Sequence, residues 1–303
     1  MHRILITDGM EKSAVEDLRK AGFEVVEQFY EPEALGAELN NFDALVVRSA
    51  TKVRKPIIDK ALESGRLKLV IRGGVGVDNI DVAYAEEKGI KVTNTPNASS
   101  ASVAELALAH MFAVTRFIGD SNITMREGKW EKKKYEGIEL SGKTLGLIGF
   151  GRIAKELAKR AHVLGMKVLY TNRSGKAEGY DEYEYCGLQD LLKRSDFVSL
   201  HIPLDKSKGA VIGKEELAMM KDRAYIINCA RGGVVCEEAL LEALNSGKLA
   251  GAGIDVFAEE PTKNMELVNH PKVSVTPHIG ASTIEAQTRI GEEIVSIIKN
   301  FLK

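Results

Sequence analysis

Gly149-Phe-Gly151-Arg-Ile-Ala154 lies between an apolar run, Thr144 to Ile148, and a helical stripe of Ile153, Leu157, Ala161 and Leu164. Few folds place G-x-G-x-x-A at that junction. Gly149 permits a tight turn out of a strand, Gly151 lets a pyrophosphate approach the backbone, and Ala154 is small enough for close packing of helix on strand. Arg152 and Ile153 then open a helix whose free N–H groups and dipole hold an anion. Gly165 stops that helix, and a second strand follows near 167–171. Strand, glycine turn, helix and strand in this order point to dinucleotide binding.

The rest of the chain repeats the same alternation of short β-rich runs and amphipathic helices, so the fold class is α/β with parallel sheets. Strands are expected at 3–7, 43–47, 68–72 and 91–94, with helices near 11–21, 55–64 and 81–88. A long helix follows from about Ser99 to Phe117, in which Val103, Leu106, Ala107, His110, Met111 and Val114 keep helical spacing. The basic, glycine-bounded segment 128–137 reads as a loop. A second alternation has strands near 143–148, 167–171, 196–202, 224–229, 251–256 and 272–276, and a final helix runs from about Ser282 to Leu302. Because the second alternation is complete before it, that helix is expected to return to the first domain, which is then discontinuous.

Composition narrows the function classes. At 303 residues, two domains are expected. The 42 basic and 43 acidic side chains nearly cancel, which leaves no electrostatic footprint for nucleic acid or an anionic membrane. The N-terminus enters a short strand directly, and no segment has the ~18 apolar residues of a membrane span, so a cytoplasmic protein is expected. Three cysteines, Cys186, Cys229 and Cys236, lack C-x-x-C spacing, which argues against a disulfide framework and against a metal site.

The strand at 167–171 runs into Asn172, Arg173 and Ser174. The position roughly 20 residues past the glycines meets the adenosine ribose, and an acid there bonds its 2′-hydroxyl. A neutral Asn followed by a cation suits a 2′-phosphate, which a carboxylate would repel. NADP is therefore favoured slightly over NAD; with Arg173 solvated, Asn172 bonding the ribose would still serve NAD.

A nicotinamide enzyme that interconverts a hydroxyl and a carbonyl needs a proton donor and acceptor, and a cation if its substrate is an acid. Candidates follow the later strands: Arg231 before Gly232 and Gly233, the acids Glu259 and Glu260, and His278. All lie beyond C-terminal strand ends, where parallel sheets place ligands. One of the two acids is expected to be solvated, and His201, which also ends a strand, competes with His278.

These clusters, with 48-RSATKV-53, 72-RGGVGVDNID-81, 94-NTPN-97 and 228-NCARGG-233, make the chain resemble the D-isomer-specific 2-hydroxyacid dehydrogenases, especially the branch acting on 3-phosphoglycerate. The resemblance runs essentially end to end. It implies two doubly wound parallel-sheet domains: a flavodoxin-like substrate domain, 1–95 with 281–303, and an inserted Rossmann dinucleotide-binding domain, 96–280. It also implies a homodimer joined largely through the Rossmann domain and the long helix. By the same resemblance Arg231 anchors the substrate carboxylate and carbonyl, His278 is the acid/base and Glu260 is its partner. Main-chain N–H groups around Gly74, Val75 and Gly76 form a second carboxylate anchor. Cofactor contacts are implied for Val75, Ile202, Pro203, Cys229, Ala230, Asp255, Gly280 and Ala281, although Asp255 also reads as an ordinary strand-end acid.

The expected reaction is oxidation of 3-phospho-D-glycerate to 3-phosphohydroxypyruvate, a step of serine biosynthesis. Arg48, Arg72 and the cluster Lys132, Lys133 and Lys134 are the candidate phosphate ligands, the lysines reaching from a partner subunit; as a charge run, they also read as a solvated loop. The alternative is a glyoxylate or hydroxypyruvate reductase using NADPH, since members that use NAD usually carry Asp where Asn172 stands. A third reading, a cofactor-sensing protein of the corepressor kind, is ranked below both. The chain ends soon after the final helix, so no appended regulatory domain and no serine feedback are expected.

Overall fold

The computed structural model describes residues 1–205 and 207–302, and the chain folds into two compact units, Met1–Ser99 with Ala281–Lys303, and Ser100–Gly280. The break after Ser99 lies a few residues beyond the expected one at 95. Lys206 and Lys303, which fall within the expected domains, lie outside the described residues.

The first unit contains β1 (Arg3–Ile6), α1 (Lys12–Lys20), β2 (Glu24–Glu27), α2 (Pro32–Glu38), β3 (Ala44–Val47), α3 (Lys55–Ala61), β4 (Leu69–Arg72), α4 (Val82–Glu87) and β5 (Lys91–Asn94). Its sheet is wholly parallel in the order β2-β1-β3-β4-β5, the flavodoxin-like winding. β3 is buried along its whole length, as a strand covered on both faces must be. The sequence reading missed β2 and α2. β2 is an edge strand flanked by glutamates, whose pattern is only half buried, so its pairing with β1 rather than its own residues identifies it.

The second unit contains α5 (Ser100–Arg116), α6 (Ile118–Arg126), β6 (Thr144–Ile148), α7 (Arg152–Val163), β7 (Lys167–Thr171), β8 (Glu184–Tyr185), α8 (Leu188–Arg194), β9 (Phe197–Leu200), α9 (Lys214–Met219), β10 (Ala224–Asn228), α10 (Glu237–Asn245), β11 (Leu249–Ile254), α11 (Met265–Val268) and β12 (Val273–Val275). Its seven-stranded parallel sheet has the order β12-β11-β10-β9-β6-β7-β8, with the winding reversing between β6 and β9. Ligands bind at such a switch point. The expected loop at 128–137 holds a 3₁₀ turn at Lys132–Lys134. α6 was not expected; Phe117, at φ 54°, breaks the long helix and lets a second one start.

The last helix, α12 (Ile284–Phe301), packs in the first unit. Thr283 caps it, its hydroxyl accepting from the Ala286 N–H at 3.1 Å. Ile290, Ile294 and Ile298 are buried against Ile4, Ile6, Leu18, Leu69 and Ile71. Full burial of each such side chain contributes about 1.5–3 kcal/mol, which outweighs the cost of ordering it. Among the described residues no single helix is long and apolar enough to cross a membrane.

Candidate active site

β10, β11 and β12 are neighbours in one parallel sheet, so the loops leaving their C-terminal ends share one edge. That edge gathers Arg231, Glu260 and His278. His278 Nδ1 lies 2.7 Å from Glu260 Oε2, and Glu260 Oε1 accepts the Phe257 N–H at 3.1 Å. Burial pushes the Glu260 carboxyl up, but the hydrogen bonds from His278 and Phe257 and the charges of His278 and Arg231 outweigh it and hold the group below its ordinary value. Glu259 instead pairs with Lys263 at the surface, at 2.6 Å, so the two-acid loop divides into a solvated member and one facing the histidine.

The Arg231 loop is built to lie against this pair. Asn228 Nδ2 donates to the Arg231 carbonyl at 2.9 Å and Asn228 Oδ1 accepts the Ala230 N–H at 3.1 Å. Arg231 Nη1 bonds the Ala230 carbonyl at 2.6 Å. Gly232 is required by proximity: a Cβ there would run into the Phe257 carbonyl. His278 has φ 53°, in the left-handed region, where strain tends to collect at functional positions. His201 differs in its surroundings. Its Nε2 lies 2.9 Å from Ser199 Oγ, burial pushes its pKa down to about 4, and it pairs with no carboxylate among the described residues.

Asp255 is buried and fully engaged with the His278 loop. Its Oδ1 accepts from Ile279 N at 2.8 Å and Thr276 Oγ1 at 2.6 Å, and its Oδ2 accepts from Gly280 N at 2.9 Å. The expectation for Asp255 was a cofactor contact or a plain strand-end acid; the hydrogen bonds add a third role, that of holding residues 276–280.

The glycine turn fits a dinucleotide. Gly149 has φ 87°, and a Cβ there would lie 2.6 Å from the His201 carbonyl oxygen and 2.7 Å from Ile202 Cγ2. A Cβ on Gly151 would meet nothing within 4 Å, so the space a phosphate needs is open. α7 begins at Arg152 and Ile153 without a side-chain cap, which leaves its N–H groups for an anion. Beyond β7, the Gly175 N–H closes a turn on the Asn172 carbonyl at 3.0 Å, and Asn172 Nδ2 donates to Ser174 Oγ at 2.7 Å. Arg173 is exposed on that turn and makes no ion pair among the described residues. Of the other expected contacts, Cys229 is buried, and burial drives its thiol well above the ordinary value, so it is a packing group rather than a nucleophile. Ala230 and Ile202 are half-buried, Pro203 is exposed, Gly280 is buried, and Ala281 follows it.

In the first unit, Arg48 and Arg72 stand at the ends of the paired strands β3 and β4. Arg72 Nη2 donates to Ser49 Oγ at 3.2 Å, and a side chain on Gly74, at φ 141°, would collide with the Arg72 guanidinium. Asp8 accepts from Arg48 N at 2.7 Å and Thr51 N at 3.0 Å, and Asn79 Nδ2 donates to the Arg48 carbonyl at 2.8 Å. Asn94 Nδ2 bonds the Val75 carbonyl and so fixes the loop containing Gly74, Val75 and Gly76. Lys132 and Lys133 are exposed in the second unit, and Lys134 pairs with Glu131 at 2.7 Å.

The sequence reading assigned no individual role to Asp8 or Thr276, or to Asn79 and Asn228 within their motifs, and placed His110 on the apolar stripe of the long helix. Asn228 carried a signal, a polar residue closing an otherwise apolar strand. Ser274 and Thr276, alternating along one strand face, were the signal for a polar partner at His110.

Residues 108–280 match the family described as D-isomer specific 2-hydroxyacid dehydrogenase, NAD binding domain. The chain is 48% identical over 302 residues to a hydroxypyruvate reductase of Thermotoga maritima, covering 98% of this chain and 97% of that one. It is 44% identical over 315 residues to a D-3-phosphoglycerate dehydrogenase of Methanocaldococcus jannaschii, covering 100% of this chain but only 58% of the longer relative. A glyoxylate/hydroxypyruvate reductase of Sinorhizobium meliloti, solved with NADP and malonate, superposes with TM-score 0.88 at 28% identity, over 100% of this chain and 94% of that one. The chain belongs to the D-isomer-specific 2-hydroxyacid dehydrogenases, oxidoreductases that act on the CH–OH group of a 2-hydroxy acid with a nicotinamide cofactor.

Proposed function

We propose that the chain interconverts 3-phospho-D-glycerate and 3-phosphohydroxypyruvate, with NADP(H) preferred over NAD(H). The observation that carries the chemistry is the 2.7 Å contact between His278 Nδ1 and Glu260 Oε2 beside Arg231. A bound nicotinamide supplies or accepts the hydride. With Nδ1 turned to Glu260, Nε2 is the nitrogen that delivers a proton to the substrate oxygen in reduction and removes it in oxidation. Glu260 fixes the ring and offsets the charge of the imidazolium. Arg231 offers a planar fork to the carboxylate and stabilises charge on the reacting oxygen. The N–H groups at Gly74, Val75 and Gly76 are proposed as further carboxylate donors. Ile202, Pro203, Cys229, Ala230, Asp255, Gly280 and Ala281 are proposed as cofactor neighbours.

The substrate phosphate is assigned to Arg48 and Arg72, a choice supported by their positions at adjoining strand ends and by the phosphoglycerate dehydrogenases among the relatives. The chain spans just over half the length of such relatives. A second reading, reduction of hydroxypyruvate or glyoxylate, is supported by the Thermotoga maritima relative, which the chain matches over nearly its whole length. The Asn172–Arg173–Ser174 turn supports NADP(H) in either case. A homodimer is also proposed; Ile118, Ile123, Met125 and Trp130 leave more than half of their surface exposed, as an interface would require.

Loss of reduced-nicotinamide absorbance with phosphohydroxypyruvate, hydroxypyruvate and glyoxylate, each with NADH and NADPH, tests these readings together. Turnover of phosphohydroxypyruvate above the other two supports the first, turnover confined to unphosphorylated acids supports the second, and no turnover removes both.

A further inference from the structure

A buried polar chain runs from α5 to the His278 loop, and its hydrogen-bond direction follows from its end group. Both Asp255 oxygens accept main-chain N–H groups, and a carboxylate has only lone pairs to offer, so the Thr276 hydroxyl must donate its proton to Oδ1 at 2.6 Å. Thr276 Oγ1 is then an acceptor toward His110 Nε2, 3.0 Å away, which therefore carries the ring proton. His110 Nδ1, left with a lone pair, accepts from Ser274 Oγ at 2.9 Å. Burial lowers the His110 pKa, against a weaker opposing pull from Asp255, in the direction of the neutral ring that this arrangement uses.

We propose that His110 and Thr276 are positioning residues for the reaction: through Asp255 they hold the loop that presents His278 in its left-handed conformation. Every link is made inside the second unit. His110 is 2% exposed and a Cβ on Gly253 would lie 2.5 Å from the His110 Cβ, so the side chain packs directly on β11. The Asp255 carboxylate is in turn held from two sides, by the hydroxyl behind it and by the N–H groups of Ile279 and Gly280 in front. Loss of the hydroxyl removes a charge-assisted hydrogen bond from a group that the turn at 278–280 depends on. The arrangement does not include the glycine turn at 149–151, and the two proposed cofactor neighbours it does include, Asp255 and Gly280, keep their main-chain bonds when the Thr276 hydroxyl is lost, so cofactor affinity is expected to fall less than proton transfer.

The inference rests on His278 being the acid/base, and the experiment separates the two. Thr276→Val, which keeps the shape and removes the hydroxyl, is compared with Thr276→Ser, which keeps the hydroxyl, and with His278→Gln, using hydroxypyruvate or phosphohydroxypyruvate as probe substrate. Misplacement of a catalytic group by about 1 Å costs on the order of 100-fold, so Thr276→Val is expected to lower kcat roughly 10- to 100-fold. Cofactor Kd, read by nucleotide fluorescence, should change less than about threefold, and Thr276→Ser should recover most of the rate. Retention of wild-type kcat by Thr276→Val, equal losses in the Val and Ser variants, or a fall in cofactor affinity as large as the fall in kcat would each overturn the proposal. If Thr276→Val does not fold, His110→Gln, which keeps an N–H donor near Thr276, is read against His110→Leu, and equal kcat in these two overturns it. Wild-type turnover in His278→Gln would remove the acid/base reading itself, whereas an inactive His278→Gln beside a fully active Thr276→Val sinks only the positioning role.

Discussion

Glu260 Oε2 lies 2.7 Å from His278 Nδ1, joining two loops that leave the neighbouring strands β11 and β12. If the contact serves proton transfer, His278→Gln should lower turnover by about 10² to 10⁴ while cofactor affinity stays close to wild type. His201→Gln should leave turnover nearly unchanged, since that ring bonds Ser199 and pairs with no acid among the described residues. Steady-state rates for both variants decide the matter, and comparable losses would remove the assignment.

The same pair predicts a pH dependence of stability. The Glu260 carboxyl is held below its ordinary value of 4.5. A depressed carboxylate contributes stability that is fully present above the unfolded value and is lost as pH falls through the folded one. Urea unfolding of wild type and Glu260→Gln should therefore show the largest difference above about pH 5, shrinking toward more acidic conditions. A difference that grows on acidification would mean that Glu260 is held by something other than these contacts.

Gly232 tests how the Arg231 loop is supported. A methyl group there meets the Phe257 carbonyl, part of the backbone leading to Glu260. Overpacking of this kind costs typically about 1–3 kcal/mol. Gly232→Ala should lose that much in urea unfolding, or keep its stability and lose turnover as the two loops move apart. Wild-type values for both would show that the loops have slack.

Arg72 separates the two substrate readings. Only a phosphorylated acid carries the dianion that a guanidinium can hold at this position. Arg72→Ala should raise KM for phosphohydroxypyruvate much more than for hydroxypyruvate. Equal effects would leave Arg72 as a partner of Ser49 and the Gly74 loop and favour the phosphate-free substrate.

How much of this was legible in the sequence depended on whether a feature was local. The G-x-G-x-x-A turn declared itself because Gly149, Gly151 and Ala154 each answer a short-range demand of backbone or packing. The parallel α/β class followed from the alternation of short β-rich runs, such as Ala44–Val47, with amphipathic helices. β2 was missed because an edge strand with glutamates at both ends is defined by its neighbour, β1. α6 was missed because Phe117 adopts a left-handed conformation that no residue preference announces. His110 sat on an apolar helical stripe; its polar role depends on Ser274 and Thr276, more than 160 positions away. Asp8 and Asn79 are likewise loop residues whose bonds to the Arg48 segment exist only once β1, β3 and β4 lie side by side.

The turn after β7 gives the last prediction, because the two cofactors differ there by a single phosphate. Asn172 Nδ2 is already committed to Ser174 Oγ, which pins the turn and leaves the Arg173 guanidinium exposed beside it. Only a 2′-phosphate can exploit that cation selectively. A hydrogen bond to a charged group is worth roughly 1.5–3 kcal/mol, so Arg173→Ala should weaken NADPH by about ten- to a hundredfold or somewhat more and leave NADH nearly unchanged. Asn172→Asp should act in the opposite sense for NADH, offering the ribose 2′-hydroxyl an ionised acceptor while repelling the phosphate. The double variant should therefore favour NADH, and titration of both cofactors by fluorescence measures the switch. Equal losses of both cofactors in Arg173→Ala, or a strong preference of the wild type for NADH, would reduce the segment to a polar turn with no part in cofactor choice.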